Sequence, residues 1–196
     1  MLKNASVLVF LAGSETSATT RSGGTDGRSL GRRTLVRSPW DGLIYTLAVL
    51  EEAMRVYPSV PLPGPRLAPL EGAVAYGKHI PEGNAQTSVS VFVICACHDP
   101  ANFHGPKDFV LERWLDDAPA KFAKDNKAAF QPFSMGTRNC IGRNLAYAEM
   151  KLILAKVMWH FELELAQETT GNWVDQKAWG LGEKRPLYVK LKEAKH

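Results

Sequence analysis

The sequence predicts a mainly α chain with small β-sheets. Three observations carry this. A capped, amphipathic helix opens at Pro39, a second long helix opens near Gly142, and the runs between and after them are short, β-favouring and broken by prolines or polar stretches. The 196 residues are 45% hydrophobic and 22% charged, an ordinary globular composition that excludes disordered and collagenous classes. Three cysteines are too few, and odd in number, for a disulfide scaffold. No apolar run reaches the roughly 18 residues of a membrane span.

Taken in order, residues 1–20 are apolar and then hydroxyl-rich. Val7, Leu8 and Leu11 are spaced for one helical face. Lys3 and the run Ala5–Ala12 also fit the start of a signal peptide, but no small-x-small cleavage site follows and Glu15 stands where cleavage sites avoid an acid. Residues 21–38 are rich in Gly, Arg and Ser, bury little and read as loop or disorder. Ser38 is placed to cap a helix, with Pro39 in its first turn and Asp41 near its positive end. Leu43, Leu47, Leu50 and Met54 then recur at helical spacing until Pro58 ends the run. Prolines 58, 61, 63, 65 and 69 make the next segment extended, and Gly77–Gly83 reads as a turn between two strands. Ser88–Cys97 reads as a β-run through Val89, Val91, Phe92, Val93 and Ile94. On such a strand Cys95 and Cys97 point the same way and are core residues. Phe103–Asp125 is irregular and polar, anchored by Trp114 and Leu115. The final helix carries Leu145, Ala148, Leu152, Ala155 and Trp159 on one stripe, and Leu187–Leu191 reads as a last short strand.

The charge is local. Between Arg21 and Ser38 lie five arginines against one aspartate, which equals the whole formal charge of +4. The remainder is neutral, so the basicity is no general anionic-partner surface, and the arginines lack the aromatic interleaving of a nucleic-acid binder.

Three constellations carry chemistry. In Phe133-Ser134-Met135-Gly136-Thr137-Arg138-Asn139-Cys140-Ile141-Gly142 a cysteine precedes an amphipathic helix, between two glycines. Helix N-terminal N–H groups favour a thiolate, Gly136 and Gly142 admit a flat ligand, and Arg138 offers a cation to its carboxylates. A thiolate so held is an axial ligand for haem iron. In Glu52-Ala53-Met54-Arg55 the i, i+3 spacing brings acid and guanidinium together, with Arg113 of Phe109–Leu115 as a third partner that locks the irregular region to the helix. In Ala12-Gly13-Ser14-Glu15-Thr16 an acid beside a hydroxyl is placed to relay protons. Cys95-Ala96-Cys97-His98 is one residue short of the usual zinc spacing and has no second ligand pair.

In this order the three constellations resemble the cytochrome P450 family of haem-thiolate monooxygenases, over Ala5–Thr20 and about Leu43–Leu191. The run Asn139–Met150 looks closest to fungal members of secondary metabolism, such as the trichothecene hydroxylases. The resemblance implies the C-terminal half of that fold. It implies haem b with Cys140 as the iron ligand, Glu15 and Thr16 as the proton-delivering pair, and Arg66 and Arg138 facing the propionates. Phe133 would pack near the haem, and Glu52, Arg55 and Arg113 would be structural. Electrons would come from NADPH through a reductase, with Arg143 and Lys151 placed to meet an acidic donor protein, and the substrate would be a small apolar organic molecule. No nucleic-acid partner and no oligomer are expected.

The departures are equally specific. By the resemblance, family members are more than twice as long, and the membrane anchor that would hold full-length relatives in the endoplasmic reticulum is not expected among these residues. Residues 1–20 correspond to a remnant of the oxygen-activating helix, 21–38 to a foreign or mis-spliced segment, and 39–196 to the haem-thiolate region. Leu111 stands where the family usually has proline. The chain is therefore expected to be a fragment, inactive alone. The alternative class is a non-catalytic orphan fragment or gene-model artefact without haem function.

Overall fold

The computed structural model describes residues 39–62, 64–75, 77–81, 88–166, 177 and 188–194, with backbone only for 39–43 and for 165. The expected helix over residues 5–20, the Arg-rich segment, Glu15, Thr16 and Ser38 lie outside these residues.

Helix α1 spans Pro39–Val56 and α3 spans Arg143–His160; the short α2 spans Val93–His98. Among the described residues six strands form three separate antiparallel pairs. β1 (Arg66–Leu67) pairs with β4 (Ser88–Val89), and β2 (Ala73–Ala75) with β3 (Lys78–Ile80). β5 (Phe161–Leu165) pairs with β6 (Val189–Glu193). Between α2 and α3 the backbone advances through four 3₁₀ turns, Leu111–Trp114, Ala120–Phe122, Lys127–Ala129 and Gly136–Arg138.

One apolar core joins these pieces. Leu50 and Met54 of α1 meet Cys97 of α2, Phe103, Phe130 and Phe133 of the irregular region, and Ala146, Met150 and Leu154 of α3. Helix α1 is closed off at Val56, where Tyr57 N–H still reaches Ala53 O at 2.8 Å before Pro58. β5 follows α3 without a linker, and its register sets Glu162 opposite Lys192 and Glu164 opposite Lys190, charge pairs that favour this pairing.

Four sequence expectations are corrected. The β-run ends at Val89, and Val93–His98 is helical. Its last carbonyls are taken by side chains from elsewhere. Arg55 Nη1 donates to Cys97 O at 3.0 Å and Asn102 Nδ2 to Ala96 O at 3.0 Å, so tertiary capping overrides the β-propensity of Val93 and Ile94. On a helix Cys95 and Cys97 diverge: Cys97 is buried and Cys95 exposed. The turn read at Gly77–Gly83 is tighter, because Lys78–Ile80 already pairs with Ala73–Ala75 and Gly77 takes a positive φ of 70°. On α3 the buried line is Ala146, Met150 and Leu154. The apolar stripe read from the sequence faces outward, with Leu145, Leu152 and Trp159 about half exposed.

Candidate functional site

The polar centre of the fold is Glu52, fully buried on α1. Its Oε2 accepts from Arg55 Nε at 2.8 Å and Trp114 Nε1 at 2.8 Å. Its Oε1 accepts from Arg55 Nη2 at 2.8 Å, Arg113 Nε at 3.2 Å and the Val110 N–H at 2.8 Å. Arg55 and Arg113 are buried as completely. The outer edge of Arg55 is taken by carbonyls: Nη1 donates to Pro106 O at 2.6 Å and Nη2 to Asp108 O at 2.8 Å. The turn that presents them needs Gly105, whose φ is +54° and where a Cβ would stand 2.7 Å from Asp108 Oδ2. Arg113 pairs through Nη1 with Asp125 Oδ2, and its Nη2 donates to His104 O at 3.1 Å. Both guanidinium groups lie over Phe103, at 5.3 and 5.9 Å from the ring centre, and Arg113 lies 4.6 Å from that of Phe122. Two carboxylates therefore balance two guanidiniums, and each side-chain charge is hydrogen-bonded, which is the condition for burying them.

Cys140 follows this framework in the chain and lies three residues before α3. Its loop is exposed, including Met135, Ile141 and Arg138, while Phe133 at its root is buried. The Cys140 N–H donates back to Phe133 O at 2.9 Å, and Arg143 N–H reaches Cys140 O at 3.3 Å as α3 begins. Gly136 has a φ of +75° and nothing within 4 Å of where its Cβ would be, while a Cβ at Gly142 would stand 3.8 Å from the Cys140 sulfur. The result is an exposed thiol with a glycine on either side in the loop, on a loop hydrogen-bonded to itself.

The structure does not gather all the residues singled out from the sequence. Glu52, Arg55 and Arg113 form one cluster. Phe133, Gly136, Arg138, Cys140 and Gly142 share one loop. Arg66 is exposed on β1, with its guanidinium reaching Gly64 O at 3.4 Å. Arg143 and Lys151 flank one ring, that of Tyr147, at 5.9 and 6.0 Å.

Sequence reasoning misses several partners. Trp114, whose indole reaches Glu52, lies in a 3₁₀ turn, and Asp125 lies in the irregular backbone between two others, where there is no long periodicity to read. It also misses Tyr147, whose hydroxyl donates to Glu51 Oε1 at 2.8 Å. The signal for it was present: Arg143, Tyr147 and Lys151 recur every four residues, and Glu51 adjoins Glu52. These two residues border a cavity of about 500 Å³ between α1, the 3₁₀ turns and the base of α3. Burial raises the Glu51 carboxyl above its ordinary value, against the lowering effects of the Tyr147 hydrogen bond and the Arg143 and Lys151 charges. Burial, and then the Glu51 charge, push the Tyr147 phenol upward, so it remains the donor.

The sequence pattern of the cytochrome P450 family matches residues 36–190. The chain is 47% identical over 152 residues to versicolorin B desaturase stcL of Emericella nidulans, covering 76% of this chain and 30% of that protein. It is 42% identical over 211 residues to averantin hydroxylase of Dothistroma septosporum, covering 97% of this chain and 39% of that protein. Among solved structures, the retinoic acid bound cyanobacterial CYP120A1 aligns with a TM-score of 0.68 and 25% identity, over 98% of this chain and 42% of that one. The chain spans less than half the length of each of these proteins. A family pattern filling most of the chain, close relatives and a shared fold agree: the chain belongs to the cytochrome P450 family.

Proposed function

We propose that this chain is the haem-thiolate portion of a monooxygenase that oxidises a small apolar organic molecule in fungal secondary metabolism, with Cys140 as the axial ligand of haem b. The observation that carries it is the Cys140 sulfur itself, exposed on a loop with glycine at 136 and 142. The residues present fit the group. A single thiolate is the donor set it needs, Met135 and Ile141 offer exposed apolar surface in the same loop, and Arg66 and Arg138 are exposed cations suited to its carboxylates. When bound, the haem supplies the oxygen chemistry that no side chain provides. The chain's own contribution is to hold the sulfur, through the Cys140 N–H to Phe133 O bond, and to fasten the loop region to α1 through the Glu52 network. Glu15 and Thr16, which lie outside the described residues, would deliver protons. Arg143 and Lys151 offer a basic edge to an acidic, NADPH-fed reductase. The averantin hydroxylase and versicolorin B desaturase relatives support the fungal secondary-metabolism setting.

The alternative is a chain without haem function of its own, in which the exposed Cys140 is an unused thiol. The reduced, carbon-monoxide-bound difference spectrum of the haem-reconstituted chain separates the two. A thiolate-type Soret band that disappears in Cys140→Ser supports the first. Its absence from the parent, or its survival in the variant, sinks the first reading for this polypeptide.

A further inference from the structure

We propose that Tyr147 is a positioning residue for Cys140, tethering the cysteine loop to α1 through Glu51. The path is continuous. The Tyr147 hydroxyl donates to Glu51 Oε1 at 2.8 Å, across 96 residues of chain. The Tyr147 ring lies 5.2 Å from the Phe133 ring, tilted by 48°. The Phe133 carbonyl receives the Cys140 N–H at 2.9 Å. Helix α1 is itself immobilised one residue further on, where Glu52 is fully buried among its donors. Ring contacts alone would hold Phe133 loosely here, because Phe133, Tyr147 and Glu51 all border the cavity of about 500 Å³, where a wall lacks packing partners on one side. The hydroxyl bond supplies the fixed point that packing does not. Arg143 and Lys151 stand near the same ring, and their charges oppose the upward push that burial gives the Glu51 carboxyl.

The purpose of this tether rests on the haem-thiolate reading, but its geometry does not. The test is therefore made on the haem-free full chain, as the exchange rate of the Cys140 amide with deuterium. Tyr147→Phe keeps the ring on Phe133 and removes only the hydroxyl. It is expected to speed Cys140 exchange about fivefold, the worth of one net hydrogen bond. Amides of β5 and β6 should be unchanged, which a general loss of stability would not allow. Glu51→Ala should give the same acceleration, the double variant no more than either single one, and Glu51→Gln, which keeps an acceptor, a rate within about twofold of the parent. Should Tyr147→Phe fail to fold, Glu51→Ala, with the tyrosine intact, decides the question. Cys140 exchange within about twofold of the parent in whichever of Tyr147→Phe and Glu51→Ala fold, or additive effects in the double variant, would overturn the proposal. A parent that shows no thiolate Soret band while its Cys140 amide responds to Tyr147→Phe sinks the haem reading alone. A parent with the band and an indifferent amide sinks the tether alone.

Discussion

Glu52 and Arg113 meet across 61 residues of sequence, Nε to Oε1 at 3.2 Å, with both side chains withdrawn completely from solvent. A pair buried this deeply is costly to break from one side. Glu52→Ala would leave two guanidiniums, the Trp114 indole and the Val110 amide without their acceptor. The expected loss is about 3–5 kcal/mol, comparable with the whole stability of a modest domain. Urea unfolding followed by circular dichroism should show no cooperative transition in the variant, whereas a midpoint close to the parent's would contradict the account.

Arg113→Lys keeps the charge and loses the fork. Arg113 uses Nε on Glu52, Nη1 on Asp125 and Nη2 on His104 O, three directions that one ammonium cannot serve together. A destabilisation of about 2 kcal/mol is expected from lost charge-assisted bonds. Equal unfolding midpoints for parent and variant would show that charge alone suffices.

Gly105→Ala tests the turn that serves Arg55. The left-handed φ of +54° and the Asp108 oxygen 2.7 Å from the added methyl both oppose the change. A cost of about 1–3 kcal/mol is expected. Gly64→Ala, where the nearest atom is the far end of Arg66 at 4.0 Å, serves as the control and should cost well below that. Indistinguishable unfolding midpoints for the two variants would remove the strain argument.

Alkaline stability should depend on Cys97. Burial pushes its thiol from the ordinary 9.0 up to about 11. Between these values the folded chain keeps a proton that the unfolded chain releases, so the stabilisation is complete below pH 9 and lost as pH rises toward 11. The Tm of the parent should fall more steeply over that window than the Tm of Cys97→Ala. Parallel curves would mean the thiol ionises freely in the folded state.

Legibility in the sequence followed the range of the interaction. The contact of Glu52 with Arg55 needs only helical spacing, and the extents of α1 and α3 follow from periodicity bounded by Pro58 and by Gly142. The Cys140 loop is readable as a motif because its glycines and cysteine are contiguous. Asp125 is not, since it reaches Arg113 from a 3₁₀-rich stretch whose path is set by tertiary bonds such as Asn126 N–H to Asn102 O at 2.7 Å. The helix at Val93–His98 is hidden for the same reason: its caps, Arg55 and Asn102, are distant or follow it. The outward stripe on α3 shows the opposite limit, where periodicity finds an apolar face without saying which neighbour it meets.

The position of Glu52 also sets a timetable for biosynthesis. Arg55 follows Glu52 by three residues and is available almost at once, but Arg113 follows by 61. At roughly 5–20 residues per second the ribosome releases the second guanidinium about 3–12 s later. Over that interval the carboxylate has water in place of Val110, Arg113 and Trp114. Helix α1 therefore cannot bury its Glu52 side until the Leu111–Trp114 turn has emerged, and a chain cleaved or stalled before Trp114 presents that half-completed surface to proteases and chaperones.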